Sequence, residues 1–279
     1  MHRICSAAAL AAALAACSPS SPAASKRSPP TYSLPQTQAG LLRAFDWYPL
    51  EATDAQGRRV GALRGARHRG LHVRFDDNDV YRLKGVCNTA SGSYRLEGSR
   101  MLRDDKYGAV QTVAGCLRGL AMEIAFFRLA TVNTQFAVVA DGGIHTLLIT
   151  HDDGARIRLV GVPTAQTRYG SPGTKLELQI DDERRCPPPS TRRERCLHVR
   201  QVRSEGANEV ALGDWYWLRE PIEGYRHQSC FRATLQVLRF DLAAGESGAA
   251  TVAYVMQHRS RSARIQPETP ACASISPSD

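Results

Sequence analysis

The sequence predicts a mainly β protein of α+β type: two small antiparallel β-rich domains, the first with one helix, behind a lipoprotein signal and a disordered tether. Three observations predict it. Apolar and polar residues alternate over short runs, clusters of Asp, Asn and Gly separate those runs, and one segment shows helical apolar spacing. The composition is compatible: 43% of the 279 residues are hydrophobic, too many for a chain kept open by charge, and the 22 Gly show no collagen period. No internal apolar run approaches the ~20 residues needed to span a bilayer. At ~100–200 residues per domain, the length suits one large or two ordinary cores.

Residues 1–16 read as a signal peptide. Met1-His2-Arg3 is a short basic start, and Ser6 to Ala16 is an apolar stretch too short for a permanent membrane span. The run Leu14-Ala15-Ala16-Cys17 resembles the bacterial lipobox. That resemblance implies cleavage before Cys17, acylation of its thiol and, with Ser18 in place of an aspartate, delivery to the outer membrane facing the periplasm. Two or three acyl chains would make the anchor essentially permanent. From 17 to 40 the chain is rich in Pro and Ser with almost nothing to bury, and reads as a tether extended by ~3.1 Å per proline-type residue.

Loss of residues 1–16 removes one Arg and no acid, so the formal charge falls from +9 to +8. Arginine clusters occur between Arg58 and Arg74, between Arg184 and Arg203, and at Arg259, Arg261 and Arg264. They lack the interleaved aromatics of a nucleic-acid stacking platform, and an exported chain meets no nucleic acid, so none is expected as a partner. Six cysteines remain beyond Cys17: Cys87, Cys116, Cys186, Cys196, Cys230 and Cys272. An even number in an oxidising compartment argues for disulfides, with fifteen complete pairings open. Pairing in sequence order, 87–116, 186–196 and 230–272, keeps each bridge inside one structural unit.

The first domain is expected over residues 41–162. Strand alternation is clear in Leu71 to Phe75, Val80 to Lys84, Gln135 to Val139 and Ile144 to Ile149, with turn chemistry at Asp76-Asp77-Asn78-Asp79, Asp141-Gly142-Gly143 and Asp152-Asp153-Gly154. Leu117, Leu120, Ile124 and Phe127 fall at helical spacing, with Arg118 and Arg128 outside, which predicts one amphipathic helix over Leu117 to Ala130. Glu123 within it is expected to answer a strand-end Arg. Residues 163–173 read as a linker, 174–258 as a second β domain and 259–279 as a tail. Its strands are Leu176 to Ile180, Leu197 to Val202, Ala233 to Phe240 and Thr251 to Met256.

The run Val86-Cys87-Asn88-Thr89-Ala90-Ser91-Gly92-Ser93-Tyr94, then Gln111 to Cys116 and a helix carrying Glu123, Phe126 and Leu129, resembles the META domain family, which includes heat-inducible envelope lipoproteins linked to novobiocin resistance. The resemblance implies a compact antiparallel β domain with one helix and a Cys87–Cys116 bridge, and brings no catalytic residues. Val86 stands where the family has glycine before the first cysteine, and Thr112 to Cys116 is longer than its usual Thr-x-x-Ala-Cys. The run from Cys186 and Cys196-Leu197 through Trp215-Tyr216-Trp217 to Ile222-Glu223-Gly224-Tyr225 is similar to a domain of unknown function that often follows a META domain in lipoproteins. Ser229-Cys230 replaces that domain's Pro-Gly turn, which makes Cys272 the natural partner of Cys230.

Few residues carry chemistry by pattern. His68 and His72 stand four apart but lead into a strand without the Glu of a metalloprotease motif, and Asp76 to Asp79 lacks the glycine of a calcium loop. No nucleophile elbow surrounds Ser91 or Ser93. An enzyme, a metal site and a cofactor are therefore not expected. Trp215 and Trp217, on one face of a strand, are candidate binding residues. The expected role is that of a non-enzymatic envelope lipoprotein, binding or supporting an envelope partner under stress. The alternative is an inhibitor of extracytoplasmic hydrolases that offers Arg192 and Arg193 from a proline-stiffened Cys186–Cys196 loop.

Overall fold

The computed structural model describes residues 34–115, 118–188, 194–206, 208–242 and 251–264. They belong to one compact unit and build two β-sheets. Helix α1 (Gln38–Ala44) is capped by the Thr37 hydroxyl, which accepts the Gly40 amide, and runs straight into β1 (Phe45–Thr53). Five strands follow: β2 (His72–Phe75), β3 (Val80–Lys84), β4 (Thr89–Glu97), β5 (Arg100–Asp104) and β6 (Val110–Gln111). Helix α2 (Leu120–Leu129) precedes β7 (Thr134–Asp141), β8 (Ile144–Thr150) and β9 (Arg156–Pro163).

The first sheet has the order β3-β2-β1-β9-β8-β7-β5-β4, and β4 pairs back onto β3 from Val80↔Ser93 to Lys84↔Thr89. Eight antiparallel strands thus close into a barrel, with β6 attached outside β4. Closure removes the free edges that invite aggregation. An eight-stranded lumen is narrow enough for side chains to fill. Trp47, Phe75, Tyr94, Met101, Leu147, Ile149, Ile157 and Leu159 occupy the core, all buried. Leu42 and Ala44 of α1 join them, and the Trp47 indole donates to the Leu42 carbonyl at 2.8 Å. At ~1.5–3 kcal/mol for each buried large side chain, this packing outweighs the barrel's surface ion pairs at ~0–1 kcal/mol each.

The helix over Leu117 to Ala130 exists, but α2 spans Leu120–Leu129 and turns a different face inward. Ala125, Phe126 and Leu129 are buried with Glu123, while Leu120 and Ile124 are 47% and 58% exposed. The segment is apolar almost all round, so spacing alone does not choose a face; the carboxylate does. Glu123 accepts the amides of Cys87 and Asn88, each at 2.9 Å, and the Asn88 side-chain amide at 2.7 Å. Its partners are backbone amides of the β3–β4 loop, not an arginine. Gly85 permits this approach, since a Cβ there would lie 2.2 Å from a Glu123 carboxylate oxygen.

The second sheet contains β10 (Thr174–Arg185), β11 (Arg195–Glu205), β12 (Asn208–Ala211), β13 (Tyr216–Leu218), β14 (Ile222–Glu223), β15 (Phe231–Asp241) and β16 (Val252–Arg264). Its order is β12-β11-β10-β15-β16-β14, with β13 also on β11. Leu218 pairs with Leu197 near one edge, and Ile222 pairs with Tyr254 at the other. Four residues reach at most about 14 Å, so the sheet must curl until its margins nearly meet. Leu178, Ile180, Val199, Leu235 and Val237 fill the curl, with Leu218 and Ile222. Strand β16 takes Arg259, Arg261 and Arg264 into the sheet, six residues beyond position 258.

Residues 163–173 do more than connect. They hold α3 (Ala165–Tyr169), which fastens the two sheets together. The Thr164 amide and the Thr167 hydroxyl both donate to the Ala44 carbonyl, at 3.0 and 2.7 Å, on the barrel side. On the other side Arg168 forms a two-pronged pair with Glu223 at 2.6 and 3.3 Å, the Tyr169 hydroxyl donates to the same carboxylate, and the Tyr169 ring lies 4.6 Å from that of Phe240. Gly173, at φ +71°, keeps clear the space a Cβ would contest with the Phe240 ring at 2.8 Å.

Candidate functional site

A cleft of about 900 Å³ lies where the outside of the barrel faces β16 and α3. That volume falls in the range of small-molecule sites, ~300–1,000 Å³. The strand register makes its barrel wall a two-row array. Asp46 lies opposite Arg74, Arg74 opposite Arg82 and Arg82 opposite Ser91; one step along, His72 lies opposite Lys84 and Lys84 opposite Thr89, with Tyr48 packed on His72. These outward positions are polar because the alternate residues, Trp47, Val73 and Leu83, point into the core. The remaining lining includes Val162, Pro163, Ala165, Val255 and Met256, with Gln166, Gln257 and His258.

The array holds fixed charge. Asp46 grips Arg74 through both oxygens at 2.5 and 2.6 Å, which keeps the guanidinium pKa above its ordinary value despite the opposing effect of burial. Arg82 reaches Asp76 at 2.9 Å, and Lys84 has no acidic partner among the described residues. Burial pushes the His72 pKa down, against the Gly70 carbonyl 3.0 Å from Nδ1 and the nearby Asp46, which favour its charged form. Burial, with Asp46 adding, pushes the Tyr48 hydroxyl up. Burial thus biases His72 and Tyr48 toward their neutral forms, beside the Arg and Lys side chains of the same wall.

The two candidate tryptophans share a histidine between them. Trp215 and Trp217 are both half-buried and both stack on His198, with ring centroids 4.9 and 4.5 Å away, while the Arg200 guanidinium lies 4.7 Å from the Trp215 ring. Arg232, bound to Asp181, approaches the same ring at 5.9 Å. His198 thus engages a face of each ring, and the two arginines approach Trp215 alone.

Cys186 and Cys196 are joined, with Cα atoms 4.9 Å apart. Arg219 steadies the base of their loop by donating to the Pro187 carbonyl at 3.1 Å. Cys87 and Cys230 each take part in a disulfide as well. Cys17, Cys116, Arg192, Arg193 and Cys272 lie outside the described residues. His68 sits exposed on a 3-10 turn (Ala66–Arg69), and Asp76 organises a turn by accepting the Asn78 and Val80 amides, each at 3.0 Å.

Sequence reasoning missed the cleft. Its walls come from positions 46–91, 162–168 and 224–258, and only barrel closure and α3 bring them together. The signal available was the alternation Tyr81-Arg82-Leu83-Lys84, whose polar half was legible as solvent-facing but not as one wall of a site.

The fold is that of a closed antiparallel β-barrel joined to a second, curled β-sheet. No protein-family model matches the chain, and no curated protein does. Among solved structures, an NMR structure of a protein from Burkholderia xenovorans is similar at 17% identity and a TM-score of 0.36, over 52% of this chain and 98% of that one.

Proposed function

We propose that this chain is a non-enzymatic envelope lipoprotein of META-like type that acts by binding a ligand in the cleft between its barrel and its second sheet. Export, acylation at Cys17 and outer-membrane delivery rest on the lipobox resemblance of Leu14 to Cys17. The META-like reading rests on the Cys87-Asn88 run, and on Glu123, which holds that run in place. The observation that carries the binding role is the cleft, a concavity of ligand size beside a barrel whose own lumen is filled. Cells lacking the protein are expected to be sensitised to envelope stress. Wild-type chain restores them, whereas Thr89→Trp, which puts a large ring into the cleft from an exposed position, does not while accumulating normally. Full complementation by Thr89→Trp would rule the cleft out. For the anchor, Cys17→Ala is expected to abolish palmitate labelling and release the chain from membranes.

A second reading, inhibition of extracytoplasmic proteases, draws on the Cys186–Cys196 bridge and the Arg219 brace, which stiffen the base of the loop. It predicts stoichiometric slowing of trypsin-like proteases that Arg192→Ala with Arg193→Ala abolishes. A protease panel left unaffected by the wild-type chain would end it.

A further inference from the structure

The cleft is chemically two-sided. One part of the barrel wall carries Arg82 and Lys84 with the hydroxyls of Ser91 and Thr89 directly opposite them across the β3–β4 pairing. The other part is apolar: Val162 and Pro163 at the end of β9, Ala165 on α3, and Val255 and Met256 on β16. Its charge can be assigned residue by residue. Arg74 is neutralised by Asp46 and Arg168 by Glu223. Arg82 spends one nitrogen on Asp76 and keeps a side chain 60% exposed, and Lys84 is left with no acid. The excess is about one positive charge, beside two hydroxyl donors and next to an apolar surface.

Several ligand classes fit this poorly. A divalent cation would need carboxylates, and the cleft's one acid, Asp46, is held on both oxygens by Arg74. A sugar or base would need a free aromatic face, and the Tyr48 ring is packed on His72 with centroids 5.2 Å apart. A bare inorganic anion would leave the Val162–Met256 side unused.

We infer that the cleft takes an amphiphile with a single anionic head, a phosphate monoester or a carboxylate, whose head sits on Lys84 and Arg82 with donors from Thr89 and Ser91 while its apolar body lies against Val162, Pro163, Val255 and Met256. The inference rests on the cleft-binding reading and names its ligand class. Charge-assisted contacts to such a head give orientation, and the apolar wall supplies area removed from water.

The test is titration calorimetry on the full chain bearing Cys17→Ser, with dodecyl phosphate, dodecanoate, inorganic phosphate and octyl glucoside, each below its micelle concentration. At least one of the two anionic amphiphiles is expected to bind saturably, and the pair together identifies the head. Lys84→Ala should weaken that binding about tenfold or more, the loss expected for one charge-assisted contact. Val162→Glu, which places a like charge in the apolar half, should weaken it too. An unchanged thermal midpoint shows each variant folded. Equal binding of octyl glucoside or inorganic phosphate, no binding of either anionic amphiphile, or indifference to Lys84→Ala overturns the inference. If it is overturned while Thr89→Trp still fails to complement, the binding role stands with a ligand of other chemistry; if Thr89→Trp complements, that role falls as well.

Discussion

Glu123 shows how one side chain can fix the placement of a helix. A carboxylate taken out of water costs several kcal/mol unless its lone pairs are met, and here the Cys87 and Asn88 amides and the Asn88 side chain meet them. Asn88 passes the connection on, since its side-chain Oδ1 accepts the Ala114 amide at 2.6 Å. Burial pushes the Glu123 carboxyl up, but the bonds from Cys87, Asn88 and Val86 outweigh it and hold the pKa below its ordinary value. A lowered folded value means stabilisation that is complete above the unfolded pKa of about 4.3 and lost as pH falls through the folded one. Glu123→Ala is expected to cost about 3 kcal/mol or more in urea unfolding at pH 7, by leaving buried amides unmet. The stability difference between wild type and Glu123→Gln should shrink below about pH 4; a difference that stays constant down to pH 2 would contradict the assignment.

At the scale of elements, strands were legible where alternation was clean and unreadable where chemistry interrupted it. The runs at Val80 to Lys84, Ile144 to Ile149 and Ala233 to Phe240 all lie in strands. By contrast β1 contains Pro49, accommodated by a register shift between Pro49 and Glu51, and β4 begins Thr-Ala-Ser-Gly-Ser with little apolar signal. The pairing of β4 with β3 that closes the barrel is tertiary, and no local pattern announces it. Helix α3 was hidden for a similar reason: Pro163 to Gly173 has turn composition, yet five of its residues form a helix held from both sides. Glu223→Ala removes its grip on Arg168 and Tyr169. The variant should exchange the amides of residues 165–169 faster in deuterium while leaving the core amides of β8 unchanged. Uniform acceleration throughout would mean that the contact supports the global fold rather than the fastening. The bridge between Cys186 and Cys196, ten residues apart, should contribute about 2–3 kcal/mol; paired Cys186→Ala and Cys196→Ala would show that loss in denaturant.

For the whole molecule, the +9 formal charge does not make a uniformly basic surface. Many of its 36 Lys and Arg are matched in local pairs such as Arg58 with Asp54, Arg74 with Asp46, Arg195 with Glu183 and Arg232 with Asp181, so the excess is carried by particular residues. What stays unbalanced in the cleft is local, at Lys84 and the free side of Arg82. The Arg-rich clusters visible in the sequence are thus a poor guide to the candidate site, because pairing across strands decides which charges remain available. The most direct measurement for the binding role is native mass spectrometry of the chain purified gently from the cells that make it. Wild type should carry a non-covalent ligand that dissociates on collisional activation and is absent from Thr89→Trp. Identical spectra for the two chains, each at the mass of the polypeptide with its covalent modifications alone, would contradict it.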